Sequence, residues 1–82
     1  MNVDEIRSFV IETFLFGNPE RLTDTTPLLE SHIVDSTGIL EIVMFLEDRY
    51  GIRIEDNELT PDNLNSIERI ASMLKKKGVG LV

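Results

Sequence analysis

Three stretches of this chain hold residue types that do chemistry. His32, Asp35 and Ser36 supply the imidazole, carboxylate and hydroxyl of a hydrolytic triad. His32 is the sole histidine, it falls in a loop segment, and an 82-residue chain has little with which to enclose a substrate pocket and an oxyanion hole. Catalysis is therefore not expected. Glu55–Asp62 is dense in acids and invites a calcium-loop reading. If the loop began at Asp56, however, Pro61 would stand at the glycine position and Ile67 would replace the closing glutamate, so the pattern fails. Lys75-Lys76-Lys77 could touch an anionic surface, but three lysines in a last helical turn are the ordinary solvated end of a helix. What remains is the Ser36 hydroxyl, next to Asp35 at the head of an amphipathic stretch, Val34–Gly51. The plain alternative is a helix N-cap, for which serine and aspartate are both preferred.

The helix that Ser36 opens is predicted over about 36–50, ending at Gly51 in a left-handed cap with Ile52 folding back on the last turn. Ile39, Val43, Leu46 and Tyr50 form its core stripe, with Ile42 on the shoulder. Thr37, Leu40, Glu41, Met44, Glu47 and Asp48 form a second face, centred about 140° away. That face mixes acids with exposed apolar groups, which a helix needing only solubility would not do. Gly38 costs about 1 kcal/mol of helix propensity relative to alanine. It either leaves room beside Ser36 or is a glycine tolerated at a helix start.

Three other helices must position this one. A first is predicted over about 3–16, with Asn2 as N-cap; Val3, Ile6, Phe9, Val10, Thr13 and Phe14 share one side, and Gly17-Asn18-Pro19 ends it. The long connection at 17–35 needs anchors, and Leu22, Leu28, Leu29, Ile33 and Val34 supply them. One short helix is expected within 55–64, where Thr60-Pro61-Asp62 reads as N-cap, N1 and N2. Asn65-Ser66-Ile67-Glu68 resembles a capping box opening the last helix, whose core stripe is Ile67, Ile70, Ala71 and Leu74. The prediction is one domain over 1–77 with a frayed tail at 78–82.

Fifteen acids against eight bases give a net charge of −7. That charge repels phosphate backbones and disfavours nucleic acid as a partner, while favouring proteins with basic docking patches. There is no cysteine, hence no disulfide framework or thiolate chemistry. The N-terminus lacks a signal-peptide pattern and nothing approaches a membrane span, so a soluble intracellular chain with no membrane partner is expected.

Asp35-Ser36 followed by TGILEIVMFLEDRYGI resembles the acyl carrier protein and peptidyl carrier protein superfamily, and the similarity runs through nearly the whole chain. The resemblance implies an all-α four-helix bundle with three longer helices, one short, and a long first loop leading to the serine. It implies a 4′-phosphopantetheine arm on Ser36, transferred from coenzyme A by a phosphopantetheinyl transferase that uses a divalent metal. The arm's thiol would carry acyl or aminoacyl groups as thioesters. Asp35 would then be a recognition contact or the helix N-cap, and Thr37, Leu40, Glu41, Met44, Glu47 and Asp48 would dock partners. Those partners are an acyl-loading or adenylating enzyme and a downstream synthase or transferase with a basic docking patch.

Fatty-acid members of the superfamily read DSL followed by an acid, whereas this chain has Asp35-Ser36-Thr37-Gly38. Small-residue variants of that kind resemble D-alanyl carrier proteins and other specialised carriers. Phe45 and Arg49 also make the second helix less uniformly acidic than the fatty-acid type. The expectation is a freestanding, monomeric, cytoplasmic carrier in fatty-acid or secondary-metabolite biosynthesis, not itself an enzyme. The alternative from another class is an unmodified acidic helical module that docks a basic partner through the same face.

Overall fold

Ser36 stands where a long loop turns into the longest helix, and the other elements hold that junction in place. The computed structural model describes residues 3–18, 20 and 22–80. Four α-helices follow in order: α1 (Val3–Phe14), α2 (Ser36–Tyr50), α3 (Pro61–Leu64) and α4 (Ile67–Lys76), with a 3₁₀ turn at Asp56–Glu58 before α3. No strand occurs among the described residues, so the chain is the expected all-α bundle with a long first loop. No helix among them is long and apolar enough to cross a membrane.

Ile6 and Val10 of α1, Ile42 and Leu46 of α2, Leu64 of α3, and Ile67, Ile70 and Leu74 of α4 are buried together. On α2 the core stripe centres on Ile42, which is fully buried, while Ile39 is only half-buried; the stripe is rotated from the expected one towards its shoulder. On α4, Met73 joins the buried stripe and Ala71 is only half-buried, so the stripe is rotated from the expected one.

The helix ends follow local chemistry. Gly51 takes the left-handed cap of α2 (φ 64°), its N–H donating to the Glu47 carbonyl at 3.0 Å, and Ile52 packs back on the core. The first helix stops at Phe14, short of the expected 16. Phe16 itself adopts a left-handed conformation (φ 52°) ahead of Gly17 (φ 84°), and the Gly17 N–H turns back to the Ile11 carbonyl. The Asn2 cap and Pro19 lie outside the described residues. Ser66 alone caps α4, its hydroxyl accepting the Arg69 N–H at 3.1 Å, and Asn65 is used elsewhere, as described below. After α4 the Val79 N–H donates to the Leu74 carbonyl at 3.0 Å, and the Val79 side chain rests on the core. Leu81 and Val82 lie outside the described residues.

The long loop is anchored as its apolar residues suggested: Leu28, Ile33 and Val34 are buried, with Leu22 and Leu29 half-buried. A polar clamp was not foreseen. Arg7 of α1 donates to both carboxylate oxygens of Asp24, at 2.6 and 2.7 Å, and also pairs with Asp4. The Arg7 hydrogen bonds hold Asp24 below its ordinary value of 3.8. A carboxyl depressed in the folded state contributes stability above its unfolded pKa and loses that contribution as pH falls through the folded one. In urea titrations from about pH 6 down to about pH 3, the wild type should therefore lose stability more steeply than Asp24→Asn, by a modest margin because the pair is partly solvated. Parallel acid limbs would show that the clamp contributes nothing.

Candidate functional site

Asp35 settles what Ser36 is free to do. Asp35 is extended (φ −99°, ψ −174°) and its Oδ1 accepts the Gly38 N–H at 2.7 Å, while its carbonyl accepts the Ile39 N–H at 3.0 Å. The N-cap of α2 is thus Asp35. Ser36, one residue inside the helix, is exposed, and among the described residues its hydroxyl has no hydrogen-bond partner. The N–H groups of Ser36 and Thr37 likewise find no acceptor among those residues. An exposed hydroxyl beside free N–H groups at the positive end of a 15-residue helix is where a phosphodiester would be stabilised. The residues present therefore fit a phosphopantetheine group: Ser36 would carry it, and the first turn of α2 would hold its phosphate.

Asp35, engaged as the cap, does not orient His32. That histidine is exposed at φ 61°, and it lines with Asp35, Thr37, Gly38 and Glu41 a recess that Ser36 does not border. Ser36 instead borders a cleft of about 300 Å³ whose walls are Ile39 and Leu40 of α2, Leu29 of the loop, and Leu59, Pro61 and Leu64 around α3. Asn65 closes that cleft and ties its wall together. Its carbonyl accepts the Leu28 N–H (2.7 Å), its Oδ1 the Leu29 N–H (3.0 Å), and its Nδ2 donates to Glu30 (2.7 Å). Sequence reasoning missed Asn65, because nothing in its neighbourhood shows that residues 28–30 return to it. Asn65→Ala should cost about 1–2 kcal/mol, since the Leu29 N–H loses its acceptor. The urea midpoint should drop and the Leu29 amide should exchange faster; unchanged exchange would mean the wall stands without the clasp.

A side chain at position 38 would have no room. Gly38 is buried, and a Cβ built there would lie 2.7 Å from Val34 Cγ1 and 2.9 Å from Phe14 Cε1. The space is already filled by α1 and the loop, so the glycine is a packing requirement.

The residues expected to dock partners are distributed over two sides of α2. Thr37, Glu41 and Asp48 are exposed, as are Leu40 (53%) and Met44 (68%). Leu40 borders the Ser36 cleft, whereas Glu41, Met44 and Asp48 border a groove against α1. Glu47 is half-buried and spends one oxygen on its own chain, accepting the Ile54 N–H at 2.9 Å. Phe45, which lies on neither of the two faces read from the sequence, stacks on Phe9 with ring centres 4.2 Å apart. Among the described residues no group of three or more acids, histidines or cysteines could hold a metal ion.

The short helical bundle, with a serine exposed at the entrance of its second helix, is the fold that the comparisons place among carrier proteins. No family model matches the chain. It is 32% identical over 63 residues to a probable acyl carrier protein, PigG, of a Serratia species, covering 77% of this chain and 72% of that one. It is 31% identical over 75 residues to the acyl carrier protein of Campylobacter curvus, covering 92% of this chain and 94% of that one. Among solved structures it resembles a chain in the "Crystal structure of FAD-dependent dehydrogenase", with a TM-score of 0.75 and 26% identity, covering 84% of this chain and 97% of that one. The chain belongs to the acyl carrier protein family.

Proposed function

We propose that this protein carries acyl or aminoacyl groups as thioesters on a 4′-phosphopantetheine arm attached through the Ser36 hydroxyl, and is not itself an enzyme. The observation that supports this is the division of labour at the head of α2: Asp35 caps the helix, leaving Ser36 exposed and unengaged among the described residues. When bound, the group supplies a flexible arm ending in the thiol on which the thioester forms. The chain's own part is to present the hydroxyl, to stabilise the phosphate anion at the helix N-terminus, and to offer a place beside it. A phosphopantetheinyl transferase drawing on coenzyme A is the modifying partner, and the cytoplasm, where coenzyme A is at hand, is the expected location.

The Ser36 cleft, at about 300 Å³ and walled mainly by aliphatic side chains, stands at the small end of the about 300–1,000 Å³ typical of ligand sites. That favours a short cargo with an apolar body, and so a specialised carrier served by an acyl-loading or adenylating enzyme. Thr37, Leu40, Glu41, Met44 and Asp48, with the outer oxygen of Glu47, are the surface a basic docking patch on a synthase or transferase would meet. The likeness to a chain in a FAD-dependent dehydrogenase structure, nearly all of which this chain spans, supports a flavin-dependent dehydrogenase among the downstream partners.

The test is intact mass after incubation with coenzyme A, magnesium and several phosphopantetheinyl transferases. One added phosphopantetheine is expected. An unchanged mass with every transferase would overturn the carrier reading and leave an unmodified interaction module.

A further inference from the structure

The turn that follows α1 displays an aromatic ring the fold does not use. Phe9, Phe14 and Phe45 rest on the core, whereas Phe16 is 94% exposed and joins neither the core nor a ring contact among the described residues. The turn itself is closed by backbone alone. The Gly17 N–H donates to the Ile11 carbonyl and the Asn18 N–H to the Leu15 carbonyl, both at 3.0 Å. Phe16 meanwhile sits at φ 52°, where a Cβ crowds the carbonyl that follows and where glycine would fit without a clash. Two unfavourable features, a crowded backbone and a wetted phenyl, thus coincide at one residue, and no contact within the described chain offsets them.

Phe16 stands at the Ser36 end of the bundle. Glu5 in the first turn of α1 pairs with Arg49 in the last turn of α2. Phe14, the last residue of α1, lies 2.9 Å from where a Cβ on Gly38 would be. The two helices are therefore antiparallel, and the chain leaves α1 beside the head of α2. Thr13 and Phe14 share the recess at that head with Asp35 and Thr37. An enzyme that acts on the tip of an arm can work away from the bundle. One that transfers a group onto the Ser36 oxygen must seat its own active site on that residue. Small interfaces cover about 600–800 Å² of each partner, about an eighth to a sixth of this molecule's 4965 Å² surface. A footprint of that size on Ser36 spreads over the neighbouring segments, the end of α1 among them.

We propose that Phe16 anchors the phosphopantetheinyl transferase, its ring entering an apolar pocket of that enzyme while Ser36 occupies the active site. The proposal rests on the carrier reading for the identity of the partner. The left-handed backbone has a use in this light, since it holds the ring clear of the bundle, as entry into another protein requires. A single large aromatic side chain that becomes desolvated in a pocket is also the kind of residue on which binding energy concentrates. The contact is apolar and lies off α2, so it does not draw on the acids of that helix.

The experiment follows transfer of phosphopantetheine from coenzyme A to the full chain by intact mass, with the transferases that modify the wild type. Wild type, Phe16→Leu and Phe16→Gly are compared, and each is also unfolded in urea and sized by sedimentation. Phe16→Gly is expected to raise the KM for the carrier by about tenfold while kcat changes by less than about twofold, the mark of lost binding with the chemistry intact. Its urea midpoint should rise, because glycine relieves the left-handed residue, so the weaker transfer is not a weaker fold. Phe16→Leu keeps an apolar body and should stay within about threefold of the wild-type KM. Equal KM for wild type and Phe16→Gly would overturn the proposal and leave the carrier reading standing, whereas a wild type that no transferase modifies would remove both. A midpoint that falls in Phe16→Gly would show that the ring serves the fold. A wild type that dimerises where Phe16→Gly stays monomeric would assign the ring to a second copy. Either result overturns the proposal.

Discussion

Ser36→Ala is expected to abolish phosphopantetheine attachment while changing the unfolding free energy by less than about 0.5 kcal/mol. The hydroxyl is exposed and makes no hydrogen bond among the described residues, so its removal strands no partner. Alanine is also a good residue for a first helical turn. The cap that matters, Asp35 Oδ1 to the Gly38 N–H, is untouched. Thr37 is the nearest competing hydroxyl, but it borders the recess shared with His32 and Glu41, whereas Ser36 borders the apolar cleft. A transferase seated for one is not seated for the other. Intact mass and a thermal melt of the same sample check both halves. A surviving mass increase would move the site off Ser36, and a large drop in melting temperature would mean the serine is structural.

Gly38→Leu is expected to destabilise the fold by about 3 kcal/mol or more, a substantial share of the ~4–12 kcal/mol typical of a chain this long. Alanine at this position shows why. It gains about 1 kcal/mol of helix propensity. Its Cβ, however, would overlap Val34 Cγ1 and the Phe14 ring, at 2.7 and 2.9 Å. Val34 is 2% exposed and has nowhere to retreat. An overpacking cost of about 1–3 kcal/mol then outweighs the propensity gain, so Gly38→Ala should be neutral to about 2 kcal/mol less stable. Leucine adds further atoms at a point where even the first does not fit. Because the collision pushes α1 away from the first turn of α2, transfer of the arm to Ser36 should slow as well. Urea unfolding orders the three proteins. A Gly38→Ala chain more stable than wild type would mean that the Phe14 ring swings aside freely, and the packing argument would fail.

Much of this was legible in the chain because it is local. Helix periodicity, the left-handed glycine at 51 and proline at the first position of α3 depend on residues a few positions apart, and each acts as its chemistry dictates. The exposed face of α2 and the apolar anchors of the long loop followed from the same short-range logic. Both candidate caps at 35 and 36 were visible too, but choosing between them needed the backbone, since one residue of shift decides which oxygen faces the free N–H groups.

What tertiary structure alone decided are contacts between positions far apart in the chain. Phe14 and Val34 converge on Gly38, Asn65 clasps residues 28–30, and Phe9 meets Phe45. Glu47 is drawn inward by the Ile54 N–H, and α1 and α3 divide one continuous helical face into a cleft at Leu40 and a groove at Met44. Periodicity assigns a residue to a side of its own helix. Which neighbour fills that side depends on how the loops return the other helices, and burial of the whole core sets that return.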